Sequence, residues 1–87
     1  MKEYKAENFK VRGLKFGERN RILDECSFID PNTGKMYVKT GTMRFLTLKY
    51  GIISPKLSDK QINELPESIA VELYNRILKE TGIPLGQ

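Results

Sequence analysis

No histidine occurs in this 87-residue chain and cysteine occurs once, as Cys26, so the side chains that build zinc sites and Ser-His or Cys-His nucleophiles are missing. Few other candidates for chemistry remain. Asp24 and Glu25 are adjacent, and neighbours on a helix point in different directions, which is the wrong geometry for a paired acid and base; they read as a solvated face. Asp30-x-Asn32-x-Gly34 has the opening of a calcium loop, but its twelfth position would be Gly41 where a bidentate Glu is required, and turns use Asp, Asn and Gly in any case. Gly34-Lys35 is not a phosphate loop, because Met36 replaces the hydroxyl residue and Ile29 stands where the first Gly should be. Cys26 falls on the apolar side of its segment and reads as a small buried hydrophobe. The expectation is a protein with no catalytic residue, no cofactor and no metal, which acts through its surface.

The elements that shape this surface follow from periodicity. Ser58 to Gly82 is the segment the core is built on. Ser58 with Gln61 three residues later forms a capping box, flanked by Leu57 and Ile62 as a hydrophobic staple. Pro66 divides the segment into a short helix ending near Glu64 and a longer one from Pro66 to about Thr81, stopped by Gly82. Ile69, Ala70, Leu73 and Ile77 share one stripe of that helix, its core face. Val71, Tyr74 and Leu78 lie beside the stripe and widen the apolar arc beyond what one core needs. Either the domain's own loops and the Ile83 to Leu85 tail cover that flank, or another subunit or partner does, which makes Val71, Tyr74 and Leu78 the candidate partner-binding residues.

Upstream, Phe9 and Val11 alternate with Lys10 and Arg12 as a half-buried strand that ends at Gly13. Lys15 to Cys26 reads as a helix with Ile22, Leu23 and Cys26 inward and Phe16 packing at its start. Ser27 to Ile29 and Lys35 to Val38 read as two short strands joined by Asp30-Pro31-Asn32-Thr33-Gly34, a hairpin connection. Thr40 to Tyr50 fits a helix capped by Thr40 or Thr42 and ended by Gly51, although Leu46, Leu48 and Tyr50 also fit a strand; helix is preferred. Ile52 and Ile53 read as core filling, and Phe9, Phe28 and Phe45 as core aromatics. The fold class is α+β, with a short N-terminal strand and a small hairpin packed with three to four helices, the C-terminal one longest. Residues 1 to 87 make a single small domain, with residues 1 to 7 expected to be mobile and 83 to 87 a short tail.

A content of 39% hydrophobic and 30% charged residues argues against disorder. Met1-Lys2-Glu3 does not open a signal peptide and no apolar run approaches the roughly 20 residues of a membrane span, so a soluble, cytoplasmic protein is expected. The net charge of +4 is uneven: residues 1 to 57 hold 12 Lys or Arg against 6 Asp or Glu, and residues 58 to 87 hold 3 against 5. A small basic nucleic-acid-binding module using Lys10, Arg12, Lys15, Arg19 and Arg21 is one reading of that surplus. The interspersed acids and the absence of a docking signature disfavour it.

The run Phe9-Lys10-Val11-Arg12-Gly13-Leu14-Lys15-Phe16-Gly17-Glu18-Arg19-Asn20-Arg21-Ile22-Leu23-Asp24-Glu25 resembles the opening of tail assembly chaperones of long-tailed (siphovirus-type) bacteriophages. In that family a short strand leads through a Leu-x-Phe-Gly-Glu segment into a helix beginning Arg-Asn-x-Ile. The resemblance continues more loosely through Asp30 to Lys35, Thr42-Met43-Arg44, and Leu65-Pro66 to Leu78. Lys15 departs from the pattern, since a hydroxyl there would cap the helix against Glu18 and a lysine cannot accept that hydrogen bond.

The resemblance implies a non-enzymatic assembly factor of the host cytoplasm that binds tape-measure protein and tail-tube subunits during tail morphogenesis and is absent from the mature virion. It also implies that a longer, frameshifted form can exist, with self-association possible. A structural tail or connector protein is the remaining alternative.

Overall fold

The computed structural model describes residues 4 to 83. The expectations for residues 1 to 3 and 84 to 87 therefore lie outside the described residues. The chain folds as α+β, in the order β1 (Lys10–Val11), α1 (Phe16–Cys26), β2 (Ser27–Ile29), β3 (Met36–Val38), α2 (Thr40–Gly51), β4 (Ile52–Ser54), α3 (Asp59–Asn63) and α4 (Glu67–Thr81). As the periodicity predicts, α4 is the longest element. No helix among the described residues is long and apolar enough to cross a membrane.

Three helices meet in the core, where Ile22 and Cys26 of α1, Thr47 of α2, and Leu73 and Ile77 of α4 are fully buried. A threonine can sit there because its hydroxyl donates to the Met43 carbonyl at 2.8 Å, one turn back along its own helix. Burial also raises the Cys26 thiol above its ordinary pKa, consistent with a packing role. Gly51 was expected to stop α2, but it is the last residue of the helix and has no positive φ. What position 51 requires is space: a Cβ would run into the Ile77 side chain. The true glycine stop is Gly82, with φ of 92°.

The Ser58–Gln61 capping box forms in both directions, at 3.2 and 2.8 Å. At α1 only the return half forms: Glu18 accepts from the Lys15 amide at 2.9 Å, while Lys15 makes no side-chain cap. The threonine cap expected for α2 is not found. Lys39 occupies the cap position, because its amide is tied to the Cys26 carbonyl at 2.7 Å and the end of the hairpin ladder sets where the helix begins.

β1 pairs with β4 in a two-stranded antiparallel sheet, Lys10 opposite Ser54 and Val11 opposite Ile52. The Ile52–Ser54 stretch, read from sequence as a connection, is thus a strand. Its alternation buries Ile52 and exposes Ile53, which corrects the reading of both as core. The sheet is riveted to α4. A Cβ on Gly13 would stand 2.5 Å from the Glu80 carbonyl oxygen, and the Leu14 amide donates to Thr81 Oγ1 at 2.9 Å. At the N-terminal side Ala6 is buried, Tyr4 packs on the core, and Arg76 donates to the Ala6 and Phe9 carbonyls at 2.9 and 3.3 Å. Two aromatic placements also change. Phe16, at the first position of α1 and six residues before the first buried side chain of that helix, is 83% exposed, and Phe28 is exposed on β2.

Candidate functional site

The second sheet, β2 with β3, carries five of the seven exposed large apolar side chains among the described residues, the others being Phe16 and Ile53. It forms because the turn closes itself. The Asp30 carboxylate accepts from the Asn32 amide at 2.8 Å, the Thr33 hydroxyl accepts from the Lys35 amide at 3.3 Å, and the Asp30 carbonyl accepts from the Gly34 amide at 2.7 Å. Gly34 takes a φ of 72°, which a side chain would resist. This chemistry fixes the register Ser27 to Val38, Phe28 to Tyr37 and Ile29 to Met36.

Register decides which side chains share a face and which backbone groups face out. The Asp30 amide donates to the Lys35 carbonyl and the Lys39 amide to the Cys26 carbonyl, so the pairs 30/35 and 26/39 are hydrogen-bonded. In an antiparallel ladder such pairs alternate, which makes 28/37 hydrogen-bonded as well and turns the backbone of Ile29, Met36 and Val38 outward. Phe28 and Tyr37 occupy one face, stacked at 5.5 Å with Lys39 Nζ 5.7 Å from the Phe28 ring. Ile29, Met36 and Val38 occupy the other with Ser27. All five apolar side chains are between 43% and 66% exposed, and every residue from 31 to 42 is exposed. Among the described residues this sheet has two strands, and neither of its edges pairs with a third.

The side chains singled out from sequence lie elsewhere. Val71, Tyr74 and Leu78 are each half-buried. Tyr74 packs against the core and borders a cleft between α2 and α4 with Phe45 and Ala70, whereas Val71 borders the outer groove of α4 with Ser68 and Asn75, so the two open in different directions. Among the five basic candidates, Arg12 is held by Glu18 in a two-pronged pair at 2.8 and 2.6 Å. That guanidinium, with the Lys15 amide, holds the Glu18 carboxyl well below its ordinary value, at about 2. Arg19 is half-buried with one unpartnered buried nitrogen, and only Lys10, Lys15 and Arg21 are exposed. No cluster of three or more His, Cys, Asp or Glu among the described residues is placed to hold a metal ion.

The sequence did carry a signal for the hairpin surface. Phe28-Ile29 and Met36-Tyr37-Val38 are unbroken apolar runs, apolar on both faces of a short strand, the pattern of a strand covered on both sides. Among the described residues no element covers either face, and all five side chains are exposed. No protein-family model matches the chain, and no significant match to it is found among curated proteins or solved structures.

Proposed function

We propose that this protein is a non-enzymatic assembly factor that holds another polypeptide through the β2–β3 hairpin, acting as a phage tail assembly chaperone on tape-measure protein and tail-tube subunits in the host cytoplasm. The observation that carries the polypeptide-binding part is the uncovered hairpin: Phe28 and Tyr37 on one face and Ile29, Met36 and Val38 on the other are apolar and exposed. Patches of this kind mark interaction surfaces, and covering each side chain recovers on the order of 1 kcal/mol. The tail-assembly part is supported by the resemblance over Phe9 to Glu25. The strand, turn and helix that the resemblance implies there correspond to β1, Gly13-Leu14-Lys15 and α1, with Glu18 bonded back to the Lys15 amide.

Co-expression of the tagged chain with a tape-measure fragment, followed by affinity capture, tests this reading. The fragment is expected to co-purify with the wild-type chain and to be lost with an Ile29→Ser/Met36→Ser variant whose helical circular dichroism is unchanged. Release of the fragment by the wild-type chain overturns the tail role. Recovery of the polypeptide in purified virions makes it a structural component instead.

A further inference from the structure

We propose that the outer edge of β3 takes up an extended partner segment as a third, antiparallel strand, with two carboxylate side chains of that segment bracketing three apolar ones. This deepens the polypeptide-binding reading above and rests on it.

The outward N–H and C=O groups of Met36 and Val38 form a short ladder, and among the described residues no hydrogen bond outside the β2–β3 pairing engages them. An added strand would satisfy them with backbone groups alone, while its side chains alternate between the two faces. Opposite Met36 and Val38 the matching residues fall on the apolar face beside Ile29. Opposite Tyr37 the matching residue falls beside the Phe28–Tyr37 stack. Lys35 and Lys39 bracket these three positions on the aromatic face; both are exposed and neither is ion-paired among the described residues. A segment reading acid, apolar, aromatic, apolar, acid therefore matches the edge position by position.

The same charges select against the other occupants. Two-fold pairing of two β3 edges about Tyr37 sets Lys35 of one copy opposite Lys39 of the other at both ends, which is unfavourable for like charges. A nucleic acid cannot exchange ladder hydrogen bonds with Met36 and Val38. The β2 edge is a poorer acceptor, because the Ser27 amide is already donated to the Leu23 carbonyl of α1.

The test uses the full chain and a fluorescein-labelled synthetic peptide, Ser-Glu-Val-Tyr-Ile-Glu-Ser, read by anisotropy. Saturable binding is expected. N-methylation of the Val and Ile amides, which removes the ladder bonds and leaves charge unchanged, should weaken it about tenfold. The Lys35→Glu/Lys39→Glu variant should also lose about tenfold and recover when the peptide carries Lys in place of Glu. Both substitutions are at exposed positions, and an unchanged thermal melt verifies the fold.

Absence of saturable binding, equal binding of the N-methylated peptide, or indifference to charge reversal each overturns the proposal and leaves the two lysines as guards against edge pairing. Peptide binding without capture of the tape-measure fragment sustains strand addition and removes the tail role. Capture that is unaffected by Lys35→Glu/Lys39→Glu, with no peptide binding, does the reverse.

Discussion

The two sheets of this molecule are built alike and used differently. β2–β3 is the more regular, with three consecutive pairs and a turn that satisfies its own backbone, yet its apolar side chains are exposed. β1–β4 is shorter and bulged, yet Ile52 within it and Phe9 just before β1 are buried. The difference lies in sequence separation. Strands separated by about 40 residues meet only because the helices between them collapse, so their pairing is part of the core; a hairpin closed by the six residues Asp30 to Lys35 forms locally. Strand pairing and burial are thus separate properties. The sheet whose apolar side chains the core does not use is the one whose surface is available to another chain.

The largest expected effect tests the buried half of that contrast. Ile52→Ala should lower the free energy of unfolding by about 3 kcal/mol, from lost transfer energy and the cavity left beside the core. A domain of this size has on the order of 5 kcal/mol to lose, so the urea midpoint should fall by more than half. A loss below about 1 kcal/mol would mean that the β1–β4 sheet yields without disturbing the helices, and the contrast between the sheets would disappear.

Much of the architecture was legible because its signals are local. The Ser58–Gln61 box, the Pro66 break, the Gly82 stop and the Asp30-to-Gly34 turn each depend on residues within four positions of one another, and each lies where the sequence puts it. The failures concern contacts between distant residues. Gly51 looks like a stop and is a packing gap for Ile77; Ile52-Ile53 looks like filling and is an alternating strand; Phe28 looks like core and is surface. Nothing in those residues says which distant element will or will not arrive. Val71, Tyr74 and Leu78 sit on the best helical pattern in the chain and are each half-buried on a helix that α2 and β1 approach, whereas the hairpin side chains are exposed.

An intermediate effect comes from the ion pair that braces the end of β1 against the first turn of α1. Glu18, held at about 2 by the Arg12 guanidinium, has a folded-state pKa below its ordinary value near 4.3. As pH falls, the unfolded chain takes up the proton first, so this contribution is complete above about pH 4.3 and fades as pH approaches 2. Both partners are partly exposed, at 36% for Arg12 and 24% for Glu18, so the contribution is screened and about 1 kcal/mol. The acid limb of the stability curve should flatten in Glu18→Gln, measured by urea unfolding between those pH values. An identical limb in both proteins would show that the pair does not brace the β1–α1 junction.

The smallest effect on stability is the one that sharpens the comparison most. Ile29→Ala is matched to Ile52→Ala in chemistry and differs in place: Ile52 is 5% exposed and Ile29 is 64% exposed. Ile29 loses a cross-strand contact with Met36 and little else, which predicts a change of no more than about 0.5 kcal/mol and an unchanged urea slope. Removing a side chain from an uncovered surface leaves no cavity, so the large term in the Ile52 case has no counterpart. A loss at Ile29 approaching that at Ile52 would show that the hairpin folds back onto the core in solution. In that case the apolar side chains of β2 and β3 belong to the domain itself, and the surface assigned to a partner is already occupied.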